Sequence, residues 1–347
     1  MGSAAPGQVP PEAASPAFLA AFRARAGAGG AMTFAGFMEL ALYDPAVGYY
    51  RRARARVGTG PGADFVTAST TGPVFGELIA AAAGTLLGPR DPKEFTFVEI
   101  GVEPRASGEP AGILAGRAHP FGAARTVSVG EAPALRGPCV VFANELLDAQ
   151  PFRRFIFRGG AWRELGVALR GDELTEIELA IAPAADGRFG ELAENWGPAP
   201  EGYLVDAPTG ALLLLEELAG QPWQGLFLTC DYGKTWRELT EATPQGTGRA
   251  YRHHRQEINL LARPGEQDLT CHVCWDWLEE ALARHRFESI AVAGQEAFFM
   301  QHAGDTIAAA ILAEAGRFSQ RKAALMQLLH PALYGQKFQV LSGFRNA

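Results

Sequence analysis

Residues 144–149 read Asn-Glu-Leu-Leu-Asp-Ala, which sets the amide of Asn144 beside the carboxyls of Glu145 and Asp148. If a substrate carries a guanidinium, two acids this close would grip and polarise it, because arginine–carboxylate pairs are strong and directional. The Asn144 carbonyl would position a cofactor or substrate beside them. The acids directly follow Pro138-Cys139-Val140-Val141-Phe142-Ala143, a short apolar run with the signature of a fully buried strand. In open α/β sheets, ligands bind outside the carboxyl ends of the strands. A second apolar run, residues 225–230, also ends in polar residues, Asp231-Tyr232-Gly233. Glu99, Asn144, Glu145 and Asp231 are therefore expected to converge on one crevice. The competing reading has Asn144 capping a helix that starts at Glu145, with Asp148 facing solvent.

These residues need a sheet to hold them. Phe95-Thr96-Phe97-Val98-Glu99-Ile100 predicts a buried strand that stops at Gly101, like the opening strand of a nucleotide-binding βαβ unit. Such units continue into closely spaced glycines, but here the loop runs Val102-Glu103-Pro104-Arg105-Ala106-Ser107-Gly108, and Pro104 removes a backbone donor. Strands are also expected near 125–129, 138–143 and 225–230, with a last one near 337–341. The gap between the first two strands, about 24 residues, is short for a helical crossover. Gly159-Gly160 predicts a hairpin between 153–157 and 162–169, and 175–220 suggests an insertion. Helices are predicted at 16–26, at 34–43 stopping at Tyr43-Asp44-Pro45, and at 72–87, 275–285, 304–315 and 317–330. Residues 1–14, rich in Pro, Ala and Gly, suggest disorder.

The 347 residues suffice for two domains, or for one α/β domain with insertions. An apolar fraction of 48% against 20% charged is that of a globular protein. With 31 basic and 38 acidic residues the formal charge is −7, which argues against nucleic-acid and anionic-membrane partners. The basic run Arg51-Arg52-Ala53-Arg54-Ala55-Arg56 reads as a solvated loop. The longest apolar run, 78–88, is too short to span a bilayer. Four cysteines and no visible secretory signal suggest a reducing compartment, the cytoplasm. Cys271-His272-Val273-Cys274 has metal-like spacing, but no second Cys pair exists. Alternation at Leu269, Cys271 and Val273 suits a strand, so the cysteines are expected to be structural and no metal is expected.

Several strings in order carry a family resemblance. They are Asp64-Phe65-Val66-Thr67-Ala68 with Phe75-Gly76-Glu77, then Val98-Glu99-Ile100-Gly101, and Asn144-Glu145-Leu146-Leu147-Asp148-Ala149-Gln150-Pro151. Next come Cys230-Asp231-Tyr232-Gly233, Gly248-Arg249-Ala250-Tyr251-Arg252, Pro264-Gly265-Glu266-Gln267-Asp268-Leu269-Thr270, and Tyr334-Gly335-Gln336-Lys337-Phe338. Over about residues 30–341 the chain resembles the MidA-like family of S-adenosylmethionine-dependent methyltransferases, which includes the mitochondrial complex I assembly factor that methylates an arginine. The resemblance implies an α/β fold: a Rossmann-like, mostly parallel methyltransferase sheet with a helical N-terminal layer and an inserted hairpin region. It implies a tail and helix at 1–30, a helical cap at 31–90, and a core at 91–347 interrupted at about 151–222. It further implies cofactor contacts at Asp64, Phe65, Thr67, Glu99 and Gly101; the strand-end position adds Asn144 as a cofactor candidate and Asn144, Glu145 and Asp148 as catalytic candidates.

Two departures from the family pattern bear on the cofactor. The glycines expected at 103–105 are absent. The acid that ends the second strand and holds the ribose is replaced by Ser128-Val129-Gly130, with Glu131 the nearest carboxylate. Glu103 would place a negative charge near the methionine carboxylate, so weak S-adenosylmethionine binding is predicted. Tyr251, Arg252, His253 and His254 are candidates for the rim of the crevice, the two histidines reading equally as surface loop. The functions in contention are a methyltransferase acting on a protein arginine, and a binding or assembly protein that kept the fold and lost cofactor use. A nicotinamide-dependent enzyme is disfavoured by the missing Gly-x-Gly-x-x-Gly.

Overall fold

The computed structural model describes residues 13–52, 56, 68, 72–103, 112–181, 196–316 and 319–346. The chain divides into two compact units, one of residues 1–52, 151–207 and 239–271, the other of 53–150, 208–238 and 272–347. The expected disorder at 1–14 lies largely outside the described residues.

The first unit opens with helix α1 (Pro16–Ala26), capped by Ser15, whose hydroxyl accepts from the Phe18 N–H. Strand β1 (Ala31–Thr33) leads into α2 (Phe34–Tyr43), capped in the same way by Thr33. The predicted hairpin forms as β5 (Arg153–Arg158) and β6 (Ala161–Arg170), turning on Gly159 and Gly160, both at positive φ. With β7 (Glu173–Leu179) and β8 (Leu204–Ala207) they make an antiparallel sheet in which β1 and β7 both pair β6. Charge is buried here in a close pair: Arg153 forks onto Glu164 at 2.9 and 2.6 Å. A smaller sheet joins β11 (Arg249–Arg252), β12 (Arg255–Glu257) and β13 (Asp268–Thr270). His253 and His254 sit at the exposed β11–β12 turn of this unit, both at positive φ.

The second unit contains the expected mostly parallel sheet. Its strands are β2 (Thr96–Val102), β3 (Ala123–Ser128), β4 (Gly137–Asn144), β9 (Trp223–Asp231), β15 (Glu288–Gly294) and β16 (Gln339–Arg345), in the order β15-β16-β9-β4-β2-β3. The β9–β4, β4–β2 and β2–β3 pairs are parallel, and β16 runs antiparallel between β9 and β15. Alternate residues of each strand face opposite sides. Phe97, Val140, Phe142, Leu226, Leu228 and Val340 join one core cluster with Phe75, Leu78, Phe298, Phe299 and Leu325. Those last five residues come from α3 (Pro73–Leu87), α6 (Gln295–His302) and α7 (Gln320–Leu329). On the sheet's other side α5 (Trp275–Arg284) packs on β16 and against α4 (Thr209–Ala219). Cover on both faces explains why β4 and β9 read as unbroken apolar runs.

Several expectations need revision. Residues 175–220 are not uniformly an insertion: α4, with Leu212, Leu215 and Leu218 buried, belongs to the second unit. Of the N-terminal helices, α2 groups with the first unit and α3 with the second. No strand runs through Cys271: β13 ends at Thr270, and β14 (Val273–Cys274) pairs in parallel with β10 (Gly233–Lys234). The four cysteines are buried and no disulfide joins them, and burial pushes the Cys274 thiol up. Among the described residues no helix is long and apolar enough to cross a membrane, and no cluster of His, Cys, Asp and Glu suits a metal ion.

Candidate active site

Parallel pairing sets Asn144 opposite Cys230, one residue before Asp231. The chain leaves β4 in a tight turn, not a helix. Glu145 adopts φ 48°, its N–H donates to the Cys230 carbonyl at 2.9 Å, and residues 145–150 form no helix. A left-handed non-glycine residue costs backbone energy and is held only by a well-determined surrounding. Here Asp231 supplies it. One oxygen accepts from the Leu147 and Asp148 N–H groups at 3.1 and 3.2 Å, and the other from Tyr232 N–H at 2.9 Å. The helix-cap alternative fails, and Asp148 is buried instead of facing solvent.

Three acids thus share one place. Glu145 is half-buried, and its Oε1 accepts from the Ala68 N–H and the Asn144 amide, each at 3.1 Å. Burial, first of all, pushes Asp148 up to about 7, the Glu145 charge adding to it while the Tyr232 hydroxyl bond opposes it. Burial and the Asp148 charge push Asp231 up as well. Two buried acids beside a third carboxyl cannot all ionise cheaply. Asn144 Oδ1 and Asp148 Oδ1 are buried and without hydrogen-bond partners among the described residues. An aromatic series flanks the cluster: Tyr334 packs on Phe338, Phe338 on Tyr232, and Tyr232 on His272, with centroids 5.3–5.7 Å apart. Burial and the Glu145 charge push the Tyr334 hydroxyl up to about 12.

Glu99 lies one strand away, paired with Phe142. Its carboxylate accepts from the Ile113 N–H at 2.7 Å, so its visible work is to fix the 112–113 backbone at the sheet edge. Burial pushes it up to about 7. Gly112 is required there, because an added Cβ would lie 2.5 Å from Thr126 and 2.9 Å from the Glu99 carboxylate. Gly101 has φ 77°, and a Cβ on it would meet Leu146 at 2.6 Å, so this glycine lets the first strand end pack on the Asn144–Asp148 turn. At the end of β3, Glu131 accepts from the Ser128 N–H at 2.9 Å, which ties that acid back to the strand terminus.

Of the candidate residues, the structure brings Asn144, Glu145, Asp148 and Asp231 together, with Glu99 and Gly101 on the next strand. Asp64, Phe65 and Thr67 lie outside the described residues, as do Pro104 and Arg105. The basic run needs correction at Arg56. Its side chain is fully buried, and its Nε donates to Glu103 at 3.0 Å, so it is not a solvated loop residue. Sequence reasoning missed this pair and the role of Tyr232, although Tyr232 stood beside the singled-out Asp231.

The parallel strand order, the ligand-edge acids and the glycine-ended first strand agree with a nucleotide-type methyltransferase core. Residues 114–292, just over half the chain, match the family Methyltransf_28, described as "Putative S-adenosyl-L-methionine-dependent methyltransferase". The chain belongs to this family, whose cofactor is S-adenosylmethionine. Among solved structures it is similar to a COG1565 superfamily protein from Burkholderia thailandensis bound to S-adenosyl-homocysteine. That match has 24% identity, covers 95% of this chain and 92% of that one, and has a TM-score of 0.79. A native structure of a COG1565 superfamily protein from the same organism matches at 24% identity, with 95% and 91% coverage and a TM-score of 0.75. At this identity the likeness establishes the fold. No curated protein matches the chain.

Proposed function

We propose that this protein is a MidA-like methyltransferase that transfers a methyl group from S-adenosylmethionine to a guanidinium nitrogen of a protein arginine, in the cytoplasm. The observation that carries the proposal is the acid cluster. Glu145 is held at the sheet edge beside buried oxygens of Asn144 and Asp148 that lack partners among the described residues. Orphaned buried acceptors are costly, and a ligand with several N–H donors satisfies them.

The residues present suit the cofactor. Gly101, Asn144 and the 112–113 backbone fixed by Glu99 border the edge where the family binds it, with Asp64, Phe65 and Thr67 as the remaining candidates. When bound, S-adenosylmethionine supplies a methyl group on an electron-poor sulfonium. The chain's part is alignment more than acid–base work. Glu145 pairs with the guanidinium and fixes its plane, Asp148 takes a second N–H, and the Tyr232–Phe338–Tyr334 aromatics wall the site against water. A cation arriving beside Asp148 favours its charged form, so the proton held there near neutral pH is released to solvent, and the carboxylate so formed takes the proton that the methylated nitrogen sheds.

The alternative, an assembly protein without catalysis, draws support from the Arg56–Glu103 pair that stands where the family has glycine amides. Titration calorimetry separates the two. With S-adenosyl-homocysteine bound, an arginine peptide is expected to bind with proton release at pH 6–7, read as a dependence of the heat on buffer ionisation enthalpy. Lysine and citrulline peptides are expected not to do so. Equal binding of all three peptides, or none, refutes the guanidinium reading.

A further inference from the structure

Arg56 is the one described member of its basic run with a fully buried side chain, and its partner Glu103 is 17% exposed. Arginine is almost never fully buried unless paired, and a buried guanidinium without a counter-ion is strongly destabilising. Glu103 directly follows β2, at the carboxyl edge of the parallel sheet, one residue past the Gly101–Val102 end that packs on the active-site turn. Ligands bind along that edge. An Arg–Glu pair there places a carboxylate receptor at the cofactor edge, with an internal carboxylate already seated on it.

We propose that Arg56 is the receptor for the α-carboxylate of the cofactor's methionine moiety, and that Glu103 is an internal competitor that occupies it in the unliganded protein. The inference rests on the methyltransferase reading. A guanidinium carries five donors in a planar fork that matches a carboxylate. Exchanging one carboxylate for another keeps Arg56 neutralised throughout, so the step avoids exposing a lone buried charge. Displaced toward solvent, Glu103 is hydrated at little cost, since it is already partly exposed. The arrangement supplies from a side chain the donors that the missing glycines would have supplied from the backbone, and it weakens binding by the affinity of Glu103 for Arg56.

The two partners therefore act with opposite sign, which a purely structural ion pair does not do. The experiment titrates the full chain with S-adenosylmethionine and with 5′-methylthioadenosine, which shares the nucleoside and thioether but lacks the amino-acid end. Glu103→Gln is expected to tighten S-adenosylmethionine by about tenfold. Arg56→Met is expected to weaken it by about 10- to 150-fold, the span of one charge-assisted hydrogen bond. Methylthioadenosine is expected to stay within about threefold throughout, as one charge-assisted bond is neither made nor lost. Should Arg56→Met fail to bind methylthioadenosine, it is misfolded, and the sign of the Glu103→Gln effect decides alone. Weakening by Glu103→Gln, no change in either variant, or parallel shifts of both ligands overturn the inference while leaving the methyltransferase reading intact. Failure of the wild-type chain to bind either ligand overturns both.

Discussion

Replacing Glu99 by Gln should make the protein more stable at pH 8 and leave its stability at pH 4 nearly unchanged. Glu99 is 6% exposed, and burial moves its carboxyl from an ordinary 4.5 to about 7. Below pH 4.5 the group is protonated in both folded and unfolded chains and contributes no penalty. Between 4.5 and 7 the unfolded chain ionises first, so wild-type stability falls, and above 7 the full penalty is in place. At 1.36 kcal/mol per pH unit the penalty approaches about 3 kcal/mol. Gln keeps an oxygen to accept from the Ile113 N–H and does not titrate. Its advantage should therefore grow from near zero at pH 4 to about 3 kcal/mol at pH 8, or roughly 4 °C in thermal midpoint for a chain of this length. Calorimetric melts of both proteins across this range measure the difference directly. A difference that does not change with pH would show that Glu99 titrates alike in both states, and would refute the burial argument.

The turn that carries the acids allows further tests. Gly101→Ala should destabilise by about 2–5 kcal/mol in urea titrations, combining a left-handed alanine with a clash against Leu146. Asp231→Ala strips the acceptor from three backbone N–H groups and should cost about 3 kcal/mol or more, while Asp231→Asn, which keeps one oxygen acceptor, should cost clearly less. Glu145→Ala should lower methyl transfer at least about 100-fold with a thermal midpoint within a few degrees of wild type. A large stability loss there would recast Glu145 as structural.

The sheet was legible because its strands are buried on both faces. The runs at 95–100, 138–143 and 225–230 carry the signal, and the polar residues that end them are those the structure gathers. Strand β15 was not legible, as none of 288–294 is fully buried and its apolar run, 290–293, is short. Helix α4 was hidden by acidic neighbours, although Leu212, Leu215 and Leu218 recur at helical spacing. The sequence left open a solvent-facing Asp148 because its burial depends on Asp231, 83 residues away, whose carboxylate holds its N–H. Arg56 looked solvated for the same reason, its partner Glu103 lying 47 residues on. Local pattern reports burial by periodicity, and it is silent on charges buried by distant partners.

Methyl transfer itself tests the account most directly. The chain is incubated at pH 7.5 with S-adenosylmethionine carrying a labelled methyl group and a cell extract of acceptor proteins, followed by digestion and mass spectrometry. Labelled methylarginine is expected in a small set of acceptors, absent when Glu145→Ala replaces the wild-type chain. Label on lysine, on carboxyl groups or on small molecules, or no label from a chain that demonstrably binds S-adenosylmethionine, would contradict it.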